Sequence, residues 1–409
     1  MNESMVQLWT RRARNMTRRG SHLVRDPRHL VLLGRDASGR LPHARPLLDH
    51  AAAAMTWLRR AQDQTGTGGV AAAYSLIEGW AGPYPETTGY IIETFLDWAR
   101  HTGDRRDVDR AIRMGDWEIE VQLPSGAVRG LAGIHAHPIV FNTGQVIFGW
   151  VALARHTGEQ RFTDAARRAG DWLVAGMDED GKWSKDVYNG CATVYHTRVA
   201  WSLHELAALT GDSRYADAAN RNLRWSLLQR TPTGHFNAMA FDLDKAPFTH
   251  TIAYTLRGFQ ESARFVDGEL AAEMRKTVTL GCEKVLRAYE LRKASPEQLP
   301  RYLPGTLDKN WKSKDKYSCL TGNVQLAAIL IREYQSGGDV RLLNAALKLI
   351  EQTAATQPMA ENAVAIYGGI AGSYPVWGAY MRLQYPNWAA KYFVDAVLLA
   401  HSITGAGPT

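Results

Sequence analysis

A four-residue segment that ends in glycine and an acid recurs along the chain, and it constrains the fold more than any other feature. The three copies are His101-Thr-Gly-Asp104, His156-Thr-Gly-Glu159 and Leu209-Thr-Gly-Asp212, and steps of 55 and 53 residues separate their threonines. In each copy a tryptophan follows fifteen residues after the threonine. Glycine can take the left-handed conformation that ends a helix, and an acid can cap the helix that follows. Each copy therefore predicts a tight corner between two helices.

A second set of landmarks stands before each of six amphipathic runs. Clusters of Pro, Thr and Asn open these runs, and such residues cap the free amides at a helix N-terminus. The clusters begin at Glu86, Asn142, Tyr195, Thr249, Cys319 and Pro386, with steps of 56, 53, 54, 70 and 67 residues. They predict six helices that begin on the same side of the molecule.

Six partner helices with charged outer faces are expected between these runs, whereas the segment 149–154 is apolar nearly all round, as a buried inner helix would be. The partners are expected at 47–63, 104–121, 160–176, 212–229, 268–290 and 338–356. Six outer helices that alternate with six inner ones predict an all-α fold, an (α/α)6 toroid, and favour a closed ring over an open solenoid. The chain has 409 residues, of which 45% are hydrophobic and 22% charged, a composition typical of a globular protein. Residues 46–409 are expected to form this single domain and residues 1–45 an N-terminal arm.

The loops that lead from each outer helix to the next inner helix are long, and they lie on one face. They span 64–85, 122–141, 177–194, 230–248, 291–317 and 357–385. Long loops on a rigid scaffold are where function concentrates, and the converging inner-helix N-termini favour anionic groups. The sequence therefore predicts the functional site on this face.

Four residues at these helix entrances are candidates for catalysis. Glu86 stands among aromatic residues that would raise the pKa of its carboxyl, so it can act as a general acid or base. Tyr195 and His196 share one helix entrance with Arg198, and His250 opens the next inner helix. Tyrosine and histidine can exchange protons, and arginine can bind a carboxylate.

Aromatic and polar residues near the same entrances are candidates for binding a substrate, because flat apolar faces with a polar edge suit sugar rings. The candidates are Tyr74, Tyr84, Arg198, Tyr254, Trp311, Tyr317, Tyr374, Asn387 and Trp388.

A zinc site formed by Cys191, His196 and Cys319 is the metal centre that the sequence could offer. The two cysteines stand far apart in the sequence, and the Cys-His-Gly segment of the lanthionine-forming cyclases, which share the toroid, is absent. We expect buried free thiols here, with neither a metal nor another cofactor.

Residues 45–405 resemble, in architecture, the six-hairpin carbohydrate-active enzymes. These include glycoside hydrolases, uronate lyases and the C-terminal domain of glucuronyl C5-epimerases. The stretch Tyr195-His196-Thr197 looks like the Tyr-His-Thr stretch of the C5-epimerases. Unsaturated glucuronyl hydrolases are similar in size, but their paired aspartates have no clear counterpart here, and the extra β-domains common in the lyases and epimerases are lacking. The resemblance implies an oligosaccharide or polysaccharide as substrate.

The leading hypothesis is proton abstraction at C5 of a uronate by a Tyr or His base, as in a lyase or a C5-epimerase. The formal charge of +7 is compatible with an acidic glycan. One alternative is a glycoside hydrolase that pairs Glu86 with a second carboxylate. The possible second carboxylates are Asp186, Asp242, Asp244, Asp308 and Glu361. The other alternative is a glycan-binding protein without catalytic activity.

The location and the remaining partners follow from what the sequence lacks. No signal-peptide pattern is visible, no apolar run is long enough to span a bilayer, and the three cysteines form no disulfide framework. These features predict a cytoplasmic protein without a transmembrane segment. Basic residues are spread along the outer helices and form no single stripe, so no nucleic-acid partner is expected. The oligomeric state is left open.

Overall fold

The computed structural model describes residues 26–42, 45–130, 137–293 and 303–405. Most of the expected N-terminal arm, residues 1–25 with residues 43 and 44, lies outside the described residues, so the arm stays a prediction. Its described part forms helix α1, Pro27–Ser38. The Asp36 carboxylate accepts a hydrogen bond from the backbone N–H of Val376 at 2.9 Å, and Arg35 donates to the carbonyl of Thr356 at 2.8 Å. Helix α1 is thereby fixed to the last long loop and the helix before it.

In the described parts of the chain, twelve further helices alternate between an outer and an inner position, as the repeats predict. The outer helices are α2 (Leu47–Asp63), α4 (Arg105–Val121), α6 (Gln160–Ala175), α8 (Ser213–Leu228), α10 (Gly268–Lys293) and α12 (Val340–Thr356). The inner helices are α3 (Pro85–Thr102), α5 (Val140–Thr157), α7 (Thr197–Thr210), α9 (Thr249–Ser262), α11 (Leu320–Gly337) and α13 (Asn387–Thr404). Each inner helix packs against the next, and α13 packs against α3. The ring is closed, so the predicted all-α (α/α)6 toroid is confirmed.

The repeated Thr-Gly-acid turns form the short corners at one end of the ring. Gly103, Gly158 and Gly211 have φ values of 76°, 72° and 71°, in the left-handed region that a glycine adopts without strain. The Asp104 carboxylate caps α4 by accepting the backbone N–H of Arg106 at 3.0 Å. Asp212 and Asp339 cap α8 and α12 in the same way. The conformations expected from the sequence are therefore present.

Close contact between inner helices depends on two glycines. A Cβ on Gly149 would lie 2.2 Å from the carbonyl oxygen of Gly89, and a Cβ on Gly89 would lie 2.5 Å from the Cα of Val146. Helices α3 and α5 can therefore approach backbone to backbone. Helix α5 is buried along most of its length because its middle part is apolar nearly all round.

Short β-strands in the long loops join distant parts of the ring. Strands β1 (Ala73–Ser75), β2 (Gly79–Trp80) and β5 (Gln384–Pro386) form an antiparallel sheet in the order β2-β1-β5. Strands β3 (Ser318–Cys319) and β4 (Ser373–Tyr374) form a second antiparallel pair. The first sheet connects the loop before α3 to the loop before α13 and so reinforces the ring where it closes.

Within the described residues, no helix has the length and apolar character needed to cross a membrane.

Candidate functional site

A cavity of about 290 Å³ opens among the N-terminal ends of the inner helices, on the face of the long loops. We call it the upper cavity. Inner helices supply part of its lining and the loops supply the rest. The residues are Tyr84, Glu86, Phe141, Tyr188, Asn189, Phe241, His250, Tyr254, Tyr380, Met381 and Trp388. Aromatic walls with a few polar groups suit a sugar ring, which has apolar faces and a hydroxylated edge.

Glu86 is the carboxylate of the upper cavity. It occupies the first turn of α3, and only 8% of its surface is exposed. The Tyr84 hydroxyl is hydrogen-bonded to its Oε2, and the Tyr188 hydroxyl lies 3.1 Å from the same oxygen. Burial raises the pKa of Glu86 to about 7, although the two tyrosines and the charge of Arg198 act in the opposite direction. The carboxyl can therefore hold or release a proton near neutral pH.

Tyr84 and Tyr188 continue a hydrogen-bonded chain away from Glu86. Their hydroxyl oxygens lie 2.6 Å apart, and Tyr188 donates to the side-chain oxygen of Asn142 at 2.8 Å. Asn142 is held by its amide, which donates to the carbonyl of Arg129 at 2.9 Å. Burial raises the pKa of both tyrosines well above the ordinary value, so both remain hydrogen-bond donors.

His250 is the nitrogen base of the cavity. Its Nδ1 lies 2.8 Å from the side-chain oxygen of Gln325 on α11. An amide oxygen only accepts, so Nδ1 carries the proton and Nε2 is left as the basic atom. Burial lowers the pKa of His250 to about 3, which keeps the ring neutral at physiological pH. The rings of Tyr254 and Tyr380 lie 4.2 and 5.2 Å from it, between centroids.

Five of the predicted site residues meet in the upper cavity, namely Glu86, His250, Tyr84, Tyr254 and Trp388. Tyr195 and His196 do not line it. Tyr195 is fully buried, with its ring 5.3 Å from Phe141, and His196 packs 5.8 Å from Trp183. Burial lowers the pKa of His196 to about 3. These two residues lie behind the aromatic wall of the cavity.

The other predicted binding residues are placed elsewhere. Arg198 lines a second cavity along the ring axis, and Tyr74 and Tyr374 belong to strands β1 and β4. The Trp311 indole donates to the carbonyl of Thr233 at 3.2 Å, in the fourth long loop.

Tyr317 and Asn387 have structural contacts. The ring of Tyr317 packs so closely on Gly305 that a Cβ there would lie 2.2 Å from it. Asn387 donates to the carbonyl of Ala71 at 3.0 Å and to the hydroxyl of Thr87 at 2.8 Å, and so holds the entrance of α13 against α3.

The carboxylates considered as partners for Glu86 are absent from the lining of the upper cavity. These residues are Asp186, Asp242, Asp244, Asp308 and Glu361. Asp242 pairs with Lys245 at 2.9 Å, and Asp308 accepts the backbone N–H of Asn310 at 2.9 Å. The described residues therefore place one carboxylate, Glu86, in this cavity.

The three cysteines lie in different parts of the structure and have different contacts. The thiol of Cys191 contacts the carbonyl of Asn189 at 3.3 Å, and the sulfur of Cys319 accepts the backbone N–H of Gly322 at 3.4 Å. Cys282 is buried in α10. Among the described residues, no three His, Cys, Asp or Glu side chains are grouped so that they could hold a metal ion.

Several contributors to the site were not among the predicted site residues, Tyr188, Asn142, Tyr380 and Phe241 among them. Asn142 stands in the first turn of α5, so its place in the chain could have identified it, whereas Tyr188 lies in the third long loop. Tyr380 and Phe241 lie inside long loops, where the helical period gives no register. An aromatic residue on a long loop is the one signal that they carry.

The closed toroid and the aromatic cavity with its buried carboxyl define a carbohydrate-active enzyme of the six-hairpin glycosidase-like fold. A family model described as "Beta-L-arabinofuranosidase, GH127 catalytic domain" matches residues 46–279, more than half of the chain. The chain belongs to this family. The matched segment contains Tyr84, Glu86, Tyr188 and His250 and ends before α11. No match is found among curated proteins.

Solved structures with the same fold include hydrolases and epimerases. An unsaturated glucuronyl hydrolase specific for heparin has a TM-score of 0.67 and 14% identity, over 88% of this chain and 98% of that chain. The unsaturated glucuronyl hydrolase of Bacillus sp. GL1 has a TM-score of 0.66 and 16% identity, over 88% and 97%. The cellobiose 2-epimerase of Bacillus thermoamylovorans has a TM-score of 0.63 and 11% identity, over 89% and 97%. At these identities the likeness shows the fold.

Proposed function

We propose that the protein is a glycosidase that removes a terminal neutral sugar from a glycan, with Glu86 as the general acid. The observation that carries this proposal is the buried Glu86 carboxyl, with a pKa of about 7, inside a cavity with aromatic walls. Half of such carboxyls are protonated at neutral pH and can give a proton to the oxygen of the leaving group. The segment that matches the family model also contains Glu86, and the description of that family names a glycosidase.

The size of the upper cavity supports a terminal sugar. A volume of about 290 Å³ is at the lower end of the range found for ligand pockets. It suits the end of a glycan chain better than a stretch inside the chain. An enzyme of this kind would release monosaccharides.

The charge of the lining supports a neutral sugar over the uronate expected from the sequence. No Lys or Arg stands among the described residues that line the upper cavity. A buried uronate carboxylate would need such a cation, because an uncompensated charge is costly to bury. Arg198, the cation predicted from the sequence to bind substrate, lines the second cavity.

His250 supplies the base of the proposed reaction. Water attacks the anomeric carbon and gives a proton to Nε2 of His250, while the bond from that carbon to the leaving oxygen breaks. Glu86 delivers its proton to that oxygen. Exchange with solvent then returns one proton to Glu86 and removes one from His250, so charge and atoms balance over a turnover.

Proton abstraction from a sugar carbon, as in an epimerase or a lyase, is the second candidate. The observation that favours it is the neutral imidazole of His250 beside a carboxyl that exchanges protons near pH 7. A base and an acid in one cavity are what such a reaction needs. Three of the similar solved structures carry names of sugar epimerases.

One assay separates these candidates. The enzyme is incubated in deuterated water with aryl glycosides, beginning with the β-L-arabinofuranoside that the family description names, and with uronate oligosaccharides. A glycosidase releases the aryl group and incorporates no carbon-bound deuterium. An epimerase or lyase incorporates deuterium or forms an unsaturated sugar without hydrolysis.

The variant Glu86→Gln tests the assignment of the acid. Hydrolysis should fall about 10²- to 10⁴-fold, the usual contribution of general acid catalysis. Glu120→Gln is the matched control, because Glu120 is exposed on outer helix α4. A protein that binds glycans without turnover would show binding in both variants and hydrolysis in none.

The cytoplasmic location expected from the sequence stays a prediction.

A further inference from the structure

A second cavity of about 590 Å³ lies along the ring axis, toward the end where the short turns are. We call it the lower cavity. Successive turns of α3, α7, α9, α11 and α13 line it. Its walls carry many charged side chains, whereas the upper cavity is aromatic. A space of this size with charged walls inside a closed ring is a candidate binding site, distinct from the proposed catalytic one.

Arg198 is the most deeply buried cation of the lower cavity, with 3% of its surface exposed. Its Nε donates to the side-chain oxygen of Gln145 at 2.5 Å. Its guanidinium lies over the rings of Phe148 and Trp201, at 5.1 and 5.3 Å from their centroids. Within the described part of the chain, no hydrogen bond or ion pair engages its two terminal nitrogens. A buried guanidinium with free donors calls for an anionic acceptor.

Three further arginines on the cavity wall share one carboxylate. Glu261 is 2.7 Å from Arg257 and 3.2 Å from Arg332, and Arg264 binds its other oxygen at 2.7 Å. The Nη1 of Arg257 is buried and has no acceptor among the described residues. Burial is the main cause that lowers the pKa of Arg257 to about 10; the charge of Glu261 raises this pKa, and the charges of Arg332 and Arg198 help to lower it. Three guanidinium groups face one carboxylate here, which leaves an excess of positive charge.

The acids on the opposite wall do not cancel this excess. Asp97 pairs with Arg100, and Asp395 pairs with Lys391. Burial raises the pKa of Glu93 to about 7, so near neutral pH this carboxyl carries only part of a charge. Glu205, on α7, pairs with Arg155, so the unpaired charge of the lower cavity is positive and lies on the wall formed by α7, α9 and α11.

We propose that the lower cavity binds a small anion, the carboxylate or phosphate group of a metabolite, between Arg198, Arg257 and Arg332. Guanidinium groups form paired hydrogen bonds with both kinds of anion. Arg198 and Arg257 both lie over the ring of Trp201, at 5.3 and 5.6 Å, so the indole supplies an apolar side to the site. This proposal does not depend on the glycosidase activity.

Binding to the intact protein is the first test. Inorganic phosphate and succinate are titrated by calorimetry at constant ionic strength, and thermal unfolding is followed in the same solutions. An anion that binds the folded state raises the melting temperature with its concentration. A response to phosphate alone assigns the site to phosphate-bearing ligands, and a response to succinate alone assigns it to carboxylates. A response to neither overturns the proposal.

Variants then locate the binding. Arg257→Gln and Arg332→Gln should each weaken binding about tenfold or more, because a hydrogen bond to a charged group contributes at least about 1.5 kcal/mol. Arg214→Gln is the matched control, since Arg214 is an exposed arginine paired with Asp212 on an outer helix. Equal weakening in the control contradicts the proposed site. If a variant does not fold, tungstate soaked into crystals of the unaltered protein decides: anomalous density between the three arginines supports the site, and density elsewhere overturns it.

Discussion

The Tyr188 hydroxyl lies 2.8 Å from the side-chain oxygen of Asn142 and 3.1 Å from the carboxylate of Glu86. A hydroxyl has one proton, so Tyr188 serves one of these acceptors at a time. With Glu86 charged, the protons of Tyr84 and Tyr188 can both point to it. With Glu86 protonated, Glu86 donates to Tyr84, Tyr84 to Tyr188 and Tyr188 to Asn142. The chain can thus accommodate either state of the acid by rotating hydroxyl groups.

Replacing Tyr188 by Phe should shift the pH dependence of activity. The tyrosine stabilises the charged carboxylate and so lowers the pKa of Glu86. Without it the pKa rises above about 7, and the protonated acid persists to higher pH. We expect the alkaline limb of kcat/KM to move up by about one pH unit, the equivalent of one such hydrogen bond. A pH–rate profile measures this shift.

Tyr195→Phe is the control for that experiment. Tyr195 is buried near the same wall and does not line the upper cavity. Its variant should keep the wild-type profile. A large loss of activity in Tyr195→Phe, with an unchanged profile in Tyr188→Phe, would support the hypothesis that Tyr195 is the catalytic base.

Replacing Gln325 by Leu should release His250 from its fixed tautomer. Nδ1 loses its acceptor, so the proton can sit on either ring nitrogen and Nε2 is less often basic. We expect kcat to fall about tenfold, the equivalent of one lost hydrogen bond. NMR of ¹⁵N-labelled histidine would show the mixed tautomers. Gln260→Leu, which removes a bond from α9 to the carbonyl of Ile329 at 3.1 Å, should lower stability and leave kcat unchanged.

Replacing Glu118 by Gln should stabilise the protein at alkaline pH. Glu118 is fully buried on α4, and neither carboxyl oxygen has a hydrogen-bond partner among the described residues. Burial raises its pKa well above the ordinary value of 4.5. The folded state therefore keeps a proton that the unfolded state releases above pH 4.5, and stability falls as the pH rises. Glutamine has no proton to lose.

The measurement is denaturant unfolding at several pH values. The difference in the free energy of unfolding between Glu118→Gln and the wild type should change in favour of the variant by about 1.4 kcal/mol per pH unit above about pH 5. This trend should stop where the buried carboxyl of the wild type ionises. Glu120→Gln, on the exposed side of the same helix, should show no such trend. If the difference in the free energy of unfolding between the variant and the wild type does not change with pH, Glu118 is not protonated in the folded state.

Replacing Gly149 by Ala should separate two inner helices. The new Cβ would lie 2.2 Å from the carbonyl oxygen of Gly89, and backbone atoms cannot swing aside as a flexible side chain does. We expect a loss of about 1–3 kcal/mol in the free energy of unfolding. Gly337→Ala is the control, because nothing lies within 4 Å of its Cβ, and it should be neutral or slightly stabilising. Equal stability of both variants would contradict the close packing.

The sequence was sufficient to predict the ring because its signals are local. The Thr-Gly-acid corners and the capped helix entrances depend on a few neighbouring residues, and their repetition fixes the number and order of the helices. The two small sheets were not predicted. Strands of two or three residues have too short an alternation to be recognised, and β1 pairs with β5 across about 310 residues.

The site was predictable only where it stands on a helix. Glu86, His250 and Trp388 lie in the first turn of inner helices, so the repeat alone directed them to one end of the ring. Tyr195 occupies an equivalent place in the sequence but is buried behind Phe141. The difference depends on how each chain segment enters its helix, because a 3₁₀ turn over Val194–His196 precedes α7. Side-chain direction at such a turn is a tertiary property that the repeat does not encode.

The ring closes between its first and last inner helices, so the upper cavity joins residues from both ends of the toroid. Tyr84 and Trp388 face each other there, with ring centroids 6.5 Å apart. A ribosome must therefore translate some 300 codons after Tyr84 before this wall exists. Until then the first inner helix lacks the last inner helix as its packing partner, and the apolar surface that the two share is accessible to chaperones and proteases. Synthesis interrupted after five hairpins would leave the upper cavity without Tyr380 and Trp388, so full activity reports on completion of the ring.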